Sequence, residues 1–380
     1  MFCKKTPHTY TQEPLMAYVF CALYSVFLIY FLIGQYQTKT VLLEKSAYSF
    51  ILLFPAAYWI LLLGLQYYVG TDYPAYYMLF RTNRTGLYKG NKEYGFVLVC
   101  AIIEKLGLPA QSGFFIISFI DVLFFCLFFT KFHFHRPDLF LLIYFCCATS
   151  FINQMNALRQ YVAMNVFCFA FYFLYKKKPI KYLLCILFAS VFHRSAILLA
   201  VFYPMRMLFK RNSKRLCFAE LLLGILFSFK GLDSVIIWFV GFTPYRYYLD
   251  SVYFLERNQA GFTNMLTKLI YIPFFIGAIR HMDSYSAKDR FLVHTGIFFF
   301  SIKLMSMSSF FLRRFAMYFD LLSYLPVYVY LVFLISGGKS KSSVKVFELF
   351  LFLCVVIVPY LLKTVVAPSG EYLYQSIILK

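Results

Sequence analysis

Polar side chains lie together at the mouth of an apolar stretch that runs through residues 153–203. In the segment NALRQYVA, the spacing i, i+3, i+4, i+7 places on one helical face Asn156, Arg159, Gln160 and Ala163. A guanidinium group pairs bidentately with oxyanions. Charge at the edge of a bilayer is costly and usually marks a site or a paired partner. This face therefore predicts an oxyanion-binding site in which Arg159 is catalytic and Asn156 and Gln160 bind substrate.

Two further residues are candidates for a general base that would take a proton from a hydroxyl group. His193 interrupts the apolar run FASVFHRSAIL, and Asp72 follows an apolar helix beside several tyrosines in GTDYPAYYMLF. Either side chain can accept a proton near neutral pH when its surroundings tune it. We place His193 first and Asp72 second. The structural alternatives are packing for His193 and helix capping for Asp72. For Arg159 they are an ion pair with Asp121 or snorkelling of the side chain to the membrane interface.

The segment FFLRRFAMYFD supplies a second group of candidates for binding phosphate. The spacing i, i+7 joins Arg313 to Asp320, and the spacing i, i+4 joins Arg314 to Tyr318. We assign a catalytic, charge-stabilising role to the two arginines and substrate binding to Tyr318. Ordinary anchoring at the membrane interface is the alternative for the arginines.

Aromatic and acidic residues between the apolar runs predict a path for sugars. The candidate substrate-binding residues are Tyr76, Glu93, Tyr245 and Arg246, because aromatic faces stack on sugar C–H surfaces and a carboxylate accepts hydrogen bonds from sugar hydroxyls. Glu93 also opens a short apolar helix, so capping is its alternative role.

These residues must be positioned by membrane helices. The chain is 62% hydrophobic and 14% charged, with a mean hydropathy of +0.71. Apolar runs of about 20 residues span a bilayer. We predict an all-α, polytopic integral membrane protein with one domain over residues 1–380, about ten transmembrane helices and additional re-entrant or interfacial helices. The predicted spans cover residues 15–34, 47–66, 114–130, 138–150, 157–175, 216–229, 265–282, 291–311, 315–335 and 347–362.

Two shorter segments do not fit a simple span. Residues 97–106 are too few to cross a bilayer and predict an interfacial or re-entrant helix. Residues 182–203 have the length of one span, but both flanks are basic. Because basic loops favour the cytoplasm, we prefer a hairpin with His193 near its tip over a single span. The buried cation Lys303 needs a partner, and Asp121 is the expected one.

The charge balance indicates lipid rather than nucleic acid as the partner. The net charge of +21 comes from Lys and Arg in short loops between apolar runs. These loops predict the cytoplasmic side, and the candidate site residues then face outward. The ten cysteines form no C-x-x-C motif and no phosphate-binding G-x-x-x-x-G-K-[ST] motif occurs. We therefore expect neither a metal nor a cofactor.

Five segments in order resemble the EpsG family of bacterial polysaccharide polymerases, which are similar to the Wzy-type polymerases of O-antigen and capsule pathways. The segments are GTDYPAYYMLF, EYGF, NALRQYVA, FASVFHRSAIL and RRFAMYF, within residues 65–335. The second of them leads into an apolar run that ends in KLGL. The most specific part is NALRQYVA followed about 30 residues later by the F-H-R-S-A segment. Within the matching motifs lie Asp72, Glu93, Arg159, Gln160, His193 and Arg314.

The resemblance implies a metal-independent glycosyltransferase of the inner (cytoplasmic) membrane. It would join polyprenyl-diphosphate-linked repeat units on the outer side, with membrane lipids around it and a chain-length regulator and a flippase as further partners. A transporter of lipid-linked glycan, a membrane O-acyltransferase acting on exported glycan and a scaffold of an export complex remain as alternatives.

Overall fold

A computed structural model describes residues 17–37, 45–82, 93–210, 213–229, 233–242, 246, 249, 262–336, 342–366 and 372–379. These residues are helical apart from short connections, and within them an isolated antiparallel bridge joins Gln66 to Ser376. The α-helices are α1 Ala17–Gln37, α2 Lys45–Gly64, α3 Tyr73–Thr82, α4 Tyr94–Lys105, α5 Gln111–Phe132, α6 Pro137–Leu142, α7 Ser150–Asn153, α8 Leu158–Tyr175, α9 Pro179–Phe192, α10 Phe202–Phe209, α11 Lys214–Phe229, α12 Asp233–Gly241, α13 Phe262–Leu269, α14 Ile272–Arg280, α15 Ala287–Met305, α16 Phe310–Ala316, α17 Leu325–Ile335 and α18 Ser342–Leu361.

Many helices turn large apolar side chains outward, as expected for a protein surrounded by lipid. Along α9, for example, the side chains of Ile180, Leu184 and Leu187 are each more than half exposed. A water-soluble monomer rarely exposes contiguous apolar surface of this extent. The all-helical, membrane-protein class predicted from composition is therefore supported.

The predicted number of about ten spans is not confirmed. Among the described residues, two helical segments are long and apolar enough to cross a bilayer by themselves, Gln111–Phe132 and Val346–Val366. A third crossing is formed if Leu312–Phe319 and Leu322–Ile335, bent by 63°, count as one broken span. Several other apolar helices are shorter, including Pro137–Cys147 and Pro179–Phe192.

Proline explains part of this difference. The predicted continuous span 315–335 breaks before α17, whose first turn contains Pro326. The predicted span 265–282 breaks between α13 and α14, where Pro273 occupies the first turn of α14. Proline has no N–H to donate and fits the first turn of a helix better than its interior. The prediction from hydropathy therefore treated each span as continuous across a point at which the backbone starts a new helix.

Helix α8 lies at the centre of the fold, with α5 and α9 packed against it. Its residues are buried on every side, including Tyr161, Met164, Phe167 and Phe171. A helix that is apolar all round belongs in a core or a membrane. Because α8 is held so closely, its first turn, which carries Arg159, has a defined position.

The segment after α8 turns back on itself, as the hairpin interpretation predicted. His193 has an extended backbone (φ −144°, ψ 109°) between α9 and a 3-10 helix, Arg194–Val201. The Tyr182 hydroxyl donates a hydrogen bond to the carbonyl oxygen of Leu199 at 2.6 Å. In a continuous helix these residues would lie about 25 Å apart. The chain therefore reverses at His193 and presents this side chain at the turn.

Candidate functional site

Arg159 lies in the first turn of α8 and forms an ion pair with Glu93, the residue that precedes α4. Its Nη1 donates to the Oε2 atom of Glu93, and its Nε donates to the Tyr76 hydroxyl at 3.4 Å. The guanidinium carbon lies 5.6 Å from the ring centre of Tyr76 and 5.3 Å from that of Phe96. Aromatic faces attract cations at this range. The Arg159 side chain is 18% exposed and that of Glu93 is 8% exposed.

His193 approaches the other oxygen of the same carboxylate. Its Nδ1 lies 3.0 Å from Oε1 of Glu93, and its side chain is 28% exposed. An ionised carboxylate only accepts hydrogen bonds, so Nδ1 carries the hydrogen and Nε2 of a neutral ring keeps a lone pair. Glu93 thus holds a guanidinium group on one oxygen and, on the other, an imidazole whose Nε2 is left with a lone pair in the neutral ring.

Electrostatics keep this carboxylate ionised. Burial by itself would raise the pKa of Glu93, but the hydrogen bond from His193 and the positive charge of Arg159 outweigh burial and lower it. Glu93 lies outside the spanning helices, because the helix that it precedes has 12 residues and is too short to cross a bilayer.

Asp72 joins the site through the backbone. Its carbonyl oxygen accepts the first hydrogen bond of α3, from the N–H of Tyr76 at 3.1 Å, so it occupies the capping position that we considered as its alternative role. Its own N–H donates to the Asn156 side-chain oxygen at 3.0 Å. Gly70 permits this approach: its φ is +73°, and a Cβ there would lie 2.5 Å from the same Asn156 oxygen. Asn156 therefore ties the start of α3 to the segment before α8.

The arginine-rich segment reaches the same region. The Gln160 amide donates to the carbonyl oxygen of Arg314 at 2.5 Å, in the last turn of α16. The Tyr318 and Ser195 hydroxyls lie 2.9 Å apart, and the Tyr318 ring centre lies 6.2 Å from that of His193. The side chain of Arg314 is exposed, and that of Arg313 is half-buried.

Not every predicted residue joins this cluster. Tyr245 lies outside the described residues. Arg246 is exposed, and no hydrogen bond or ion pair within the described ranges connects it to Glu93 or Arg159. The helical stripe predicted for Arg313 and Asp320 is interrupted, because a 3-10 turn at Met317–Phe319 replaces the α-helix between them.

The partner predicted for Lys303 is wrong. Its Nζ lies 2.6 Å from Oδ1 of Asp320, whereas Asp121 accepts a hydrogen bond from Asn165 at 2.7 Å. Asp320 follows the 3-10 turn, which brings it within reach of α15. Arg159 pairs with Glu93, so the alternative ion pair between Arg159 and Asp121 is not formed.

Sequence reasoning missed three contributors: Phe96 beneath Arg159, Ser195 beside Tyr318, and Gly70 under Asn156. A signal existed for Phe96, which lies three residues after Glu93 and so shares its helical face. For Gly70 the signal was a glycine immediately before a polar helix start.

The fold and the site together define the class. The chain is an all-helical membrane protein in which a buried carboxylate joins an arginine and a histidine near the ends of apolar helices. The family model of the EpsG family matches residues 49–376, and the chain belongs to this family of Wzy-like polysaccharide polymerases. Neither the curated proteins nor the solved structures contain a significant match.

Proposed function

We propose that this chain polymerises oligosaccharide repeat units carried on polyprenyl diphosphate. The donor is the growing glycan on its lipid diphosphate, and the acceptor is a sugar hydroxyl of a new lipid-linked unit. The observation that carries the proposal is the Glu93 carboxylate, which holds Arg159 on one oxygen and His193 on the other. Membership of the EpsG family supports the reaction class.

The proposed reaction forms a bond between the acceptor oxygen and the anomeric carbon of the donor, and it breaks the bond from that carbon to the diphosphate. His193 takes the acceptor proton at Nε2, while Glu93 holds Nδ1–H and stabilises the imidazolium that forms. Negative charge develops on the departing diphosphate. Arg159 lies beside this base, and Arg314 and Arg313 add positive charge from α16, so fixed cations stabilise the leaving group. In this proposal they replace a metal ion.

Sugar binding falls to the aromatic and polar rim of the site. Tyr76 lies against Arg159, and Tyr318 lies near His193. Asp72, Asn156 and Gln160 fix the backbone around these rings and supply further polar atoms. Asp72 is the second candidate for the base, after His193, because Glu93 orients the His193 ring.

The reaction is proposed to take place on the outer side of the inner membrane, in a multi-pass protein. The Lys/Arg-rich loops are then cytoplasmic. A flippase would supply the lipid-linked units, and a chain-length regulator would set the size of the product.

A glycan size profile tests this proposal. The gene is deleted, and cells are complemented with the wild-type chain, Arg159→Ala, Arg159→Lys or a control, Arg136→Ala. Arg136 also pairs with a carboxylate, Asp138 at 2.7 Å, but it follows α5. Gln111 at the other end of α5 contacts Tyr73 near the site, and the 22-residue helix is about 33 Å long. The control therefore removes a similar ion pair at the far end of the bundle.

We expect Arg159→Ala to lose long polymer by about 100-fold or more, as for removal of one charge-stabilising donor, while protein in the membrane stays at the wild-type level. Arg159→Lys should be intermediate, because lysine cannot pair bidentately. Arg136→Ala should retain the wild-type ladder. Long polymer in Arg159→Ala cells would refute the assignment. Single units trapped on the inner face would indicate a flippase, and a normal ladder lacking acyl groups would indicate an acyltransferase.

A further inference from the structure

Three side chains that commonly bind metals converge between α11 and α15. Cys217 and Glu220 lie one turn apart on α11, and His294 lies on α15. One donor atom from each residue lies within 4.8 Å of the other two. Cys217 and His294 are fully buried, and Glu220 is 8% exposed. This Cys217–Glu220–His294 cluster plays no part in the function proposed above.

The hydrogen bonds of His294 leave a position that either a proton or a metal ion must fill. Its Nδ1 lies 3.1 Å from the Phe209 carbonyl oxygen, which only accepts, so Nδ1 carries a hydrogen. Its Nε2 lies 3.3 Å from Oε1 of Glu220. A ring lone pair and a carboxylate oxygen repel each other at this distance unless a proton or a metal ion lies between them. A backbone carbonyl on the second ring nitrogen is also the usual support of a metal-bound histidine.

Three features favour a metal over a proton. Cys217 adds a third donor, which a simple His–Glu pair does not require. The second oxygen of Glu220, Oε2, is buried without a hydrogen-bond partner. Two ligands about 2.0–2.1 Å from one tetrahedral ion lie about 3.3–3.4 Å apart, which agrees with the separation of Nε2 and Oε1.

Charge also favours a divalent ion. A thiolate and a carboxylate carry two negative charges, and a neutral imidazole adds none, so a 2+ ion makes the buried group electrically neutral. A neutral group avoids the cost of burying a net charge among apolar helices. Thiolate, imidazole and carboxylate together suit Zn²⁺ better than the hard ions Mg²⁺ and Ca²⁺, which select oxygen ligands.

The two helices are held close enough to keep these donors together. Gly224 of α11 packs on Ser301 of α15 so closely that a Cβ would lie 2.8 Å from the Ser301 Cα. One turn outward from Cys217, Lys214 forms an ion pair with Asp283 at 2.5 Å. The donor atoms thus lie between a close helix contact deep in the bundle and an exposed ion pair to Asp283, in the 3-10 turn that precedes α15.

We propose that Cys217, Glu220 and His294 bind a structural Zn²⁺ that fastens α11 to α15, with water as its fourth ligand. This differs from our sequence-based expectation of no metal, which rested on the absence of a C-x-x-C motif. The hydrogen bonds that the structure gives His294 are to Glu220 and to the Phe209 carbonyl oxygen, and neither residue belongs to the group formed by Glu93, Arg159 and His193. We therefore assign the zinc to the fold of this half of the protein, separately from the proposed polymerisation chemistry.

The test uses the full chain purified in detergent from cells grown with added zinc. Metal content is measured by mass spectrometry for the wild type, Cys217→Ala, His294→Ala and a matched control, Cys168→Ala. Cys168 is also fully buried, so the control removes the same atom from an apolar environment. We expect about one zinc per chain in the wild type and the control, and a several-fold loss in the other two variants.

A second measurement needs no folded variant. The wild-type chain is stripped with a chelator and then titrated with CoCl₂ or ZnCl₂ alone. Cobalt bound to Cys217 should give a thiolate-to-cobalt absorption band in the near ultraviolet, and added zinc should raise the melting temperature. Absence of the band together with an unchanged melting temperature would overturn the proposal. Equal metal content in the wild type and in Cys217→Ala would also overturn it, because the metal would then lie elsewhere.

Discussion

The Glu93 cluster and the Lys303–Asp320 cluster differ in how accessible their charged side chains are. The Glu93 cluster joins Arg159 and His193, whose side chains are 18% and 28% exposed. The second cluster joins Lys303 to Asp320 at 2.6 Å, and both side chains are 9% exposed. Both clusters place a carboxylate between partners from distant parts of the chain, but the partners of the first carboxylate are partly exposed whereas Lys303 in the second is buried.

In the Lys303–Asp320 cluster, which we call the closed cluster, both carboxylate oxygens have partners within the protein. Oδ1 of Asp320 pairs with Lys303, and Oδ2 accepts a hydrogen bond from the Tyr161 hydroxyl at 2.8 Å. The lysine Nζ also lies 5.0 Å from the ring centre of Tyr324. Burial of such a pair is costly unless every group has a partner. We therefore interpret the Asp320 cluster as structural, and the greater exposure of the Glu93 cluster is consistent with the chemical role proposed for it.

The largest effect should come from breaking the closed pair. Asp320→Ala leaves the Lys303 charge buried without its carboxylate, which typically costs about 3–5 kcal/mol of stability. We expect much less folded protein and a lower melting temperature in detergent. Normal folding of this variant would show that Lys303 does not depend on Asp320.

The double variant Lys303→Met/Asp320→Leu distinguishes a structural role of this ion pair from a role in the reaction. Replacing both partners of a buried pair by apolar residues of similar size is often neutral for stability. We therefore expect recovery of most of the folded protein and of polymer synthesis. A well-folded but inactive double variant would contradict the structural role and would place the closed cluster in the reaction.

His193→Asn tests the Glu93 cluster, which we call the open cluster because its side chains are partly exposed. Asparagine keeps a donor near the position of Nδ1, which faces Glu93, but it has no equivalent of Nε2. We expect polymerisation by purified protein to fall by about 100-fold or more, since general-base catalysis contributes about 10²–10⁴-fold, with little change in melting temperature. Ser190→Ala on the same hairpin, which removes a hydrogen bond to the Leu187 carbonyl, should leave the rate unchanged. A wild-type rate in His193→Asn would exclude this residue as the base.

Gly70→Ala should have a smaller effect on stability and polymer yield. Comparison with Gly107→Ala separates the cost of the strained backbone from the displacement of Asn156. Both Gly70 and Gly107 have a positive φ, at +73° and +60°, and alanine in this region costs about 1–2 kcal/mol. A Cβ at Gly107 meets no heavy atom within 4 Å, whereas one at Gly70 displaces Asn156. Gly107→Ala should therefore lower only stability, and Gly70→Ala should lower both stability and polymer yield. Equal polymer yields would show that Asn156 does not position the site.

The smallest effect on stability is expected when low pH protonates Glu93. Because the pKa of Glu93 lies below its ordinary value of 4.5 in the folded protein, its ionisation contributes stability that is fully present above that value. This stability is lost as pH falls through the lower, folded-state pKa. The difference in melting temperature between the wild type and Glu93→Gln should therefore be constant near neutrality and shrink below about pH 4.5. A constant difference down to pH 3 would argue against the ionised Glu93 as the shared partner.

Much of the open cluster could be predicted from spacing. The predicted stripe brings Arg159 to Glu93 and Gln160 to α16, whereas Asn156 lies before α8, which begins at Leu158, and contacts Asp72. The basic flanks of residues 182–203 predicted the reversal that brings His193 to this face. These predictions depend on local periodicity and on charge, which a sequence displays directly.

The pairing of buried charges could not be predicted in the same way. Lys303 was expected to meet Asp121, but α15 packs where the 3-10 turn presents Asp320, and α8 turns Asn165 toward Asp121 instead. The donors Cys217, Glu220 and His294 were likewise not recognised as a group, because 74 residues separate Glu220 from His294.

By itself, the sequence determined that this protein is helical and apolar, that many of its Lys and Arg residues lie in short loops between apolar runs, and that it belongs among the EpsG polymerases. Only the tertiary structure decided which acid meets which base and where each apolar run breaks. The physical reason is the distance along the chain over which each kind of interaction acts. Helical periodicity and hydropathy act between residues a few positions apart, whereas the contacts of Glu93, Asp320 and His294 depend on how helices from distant parts of the chain pack together.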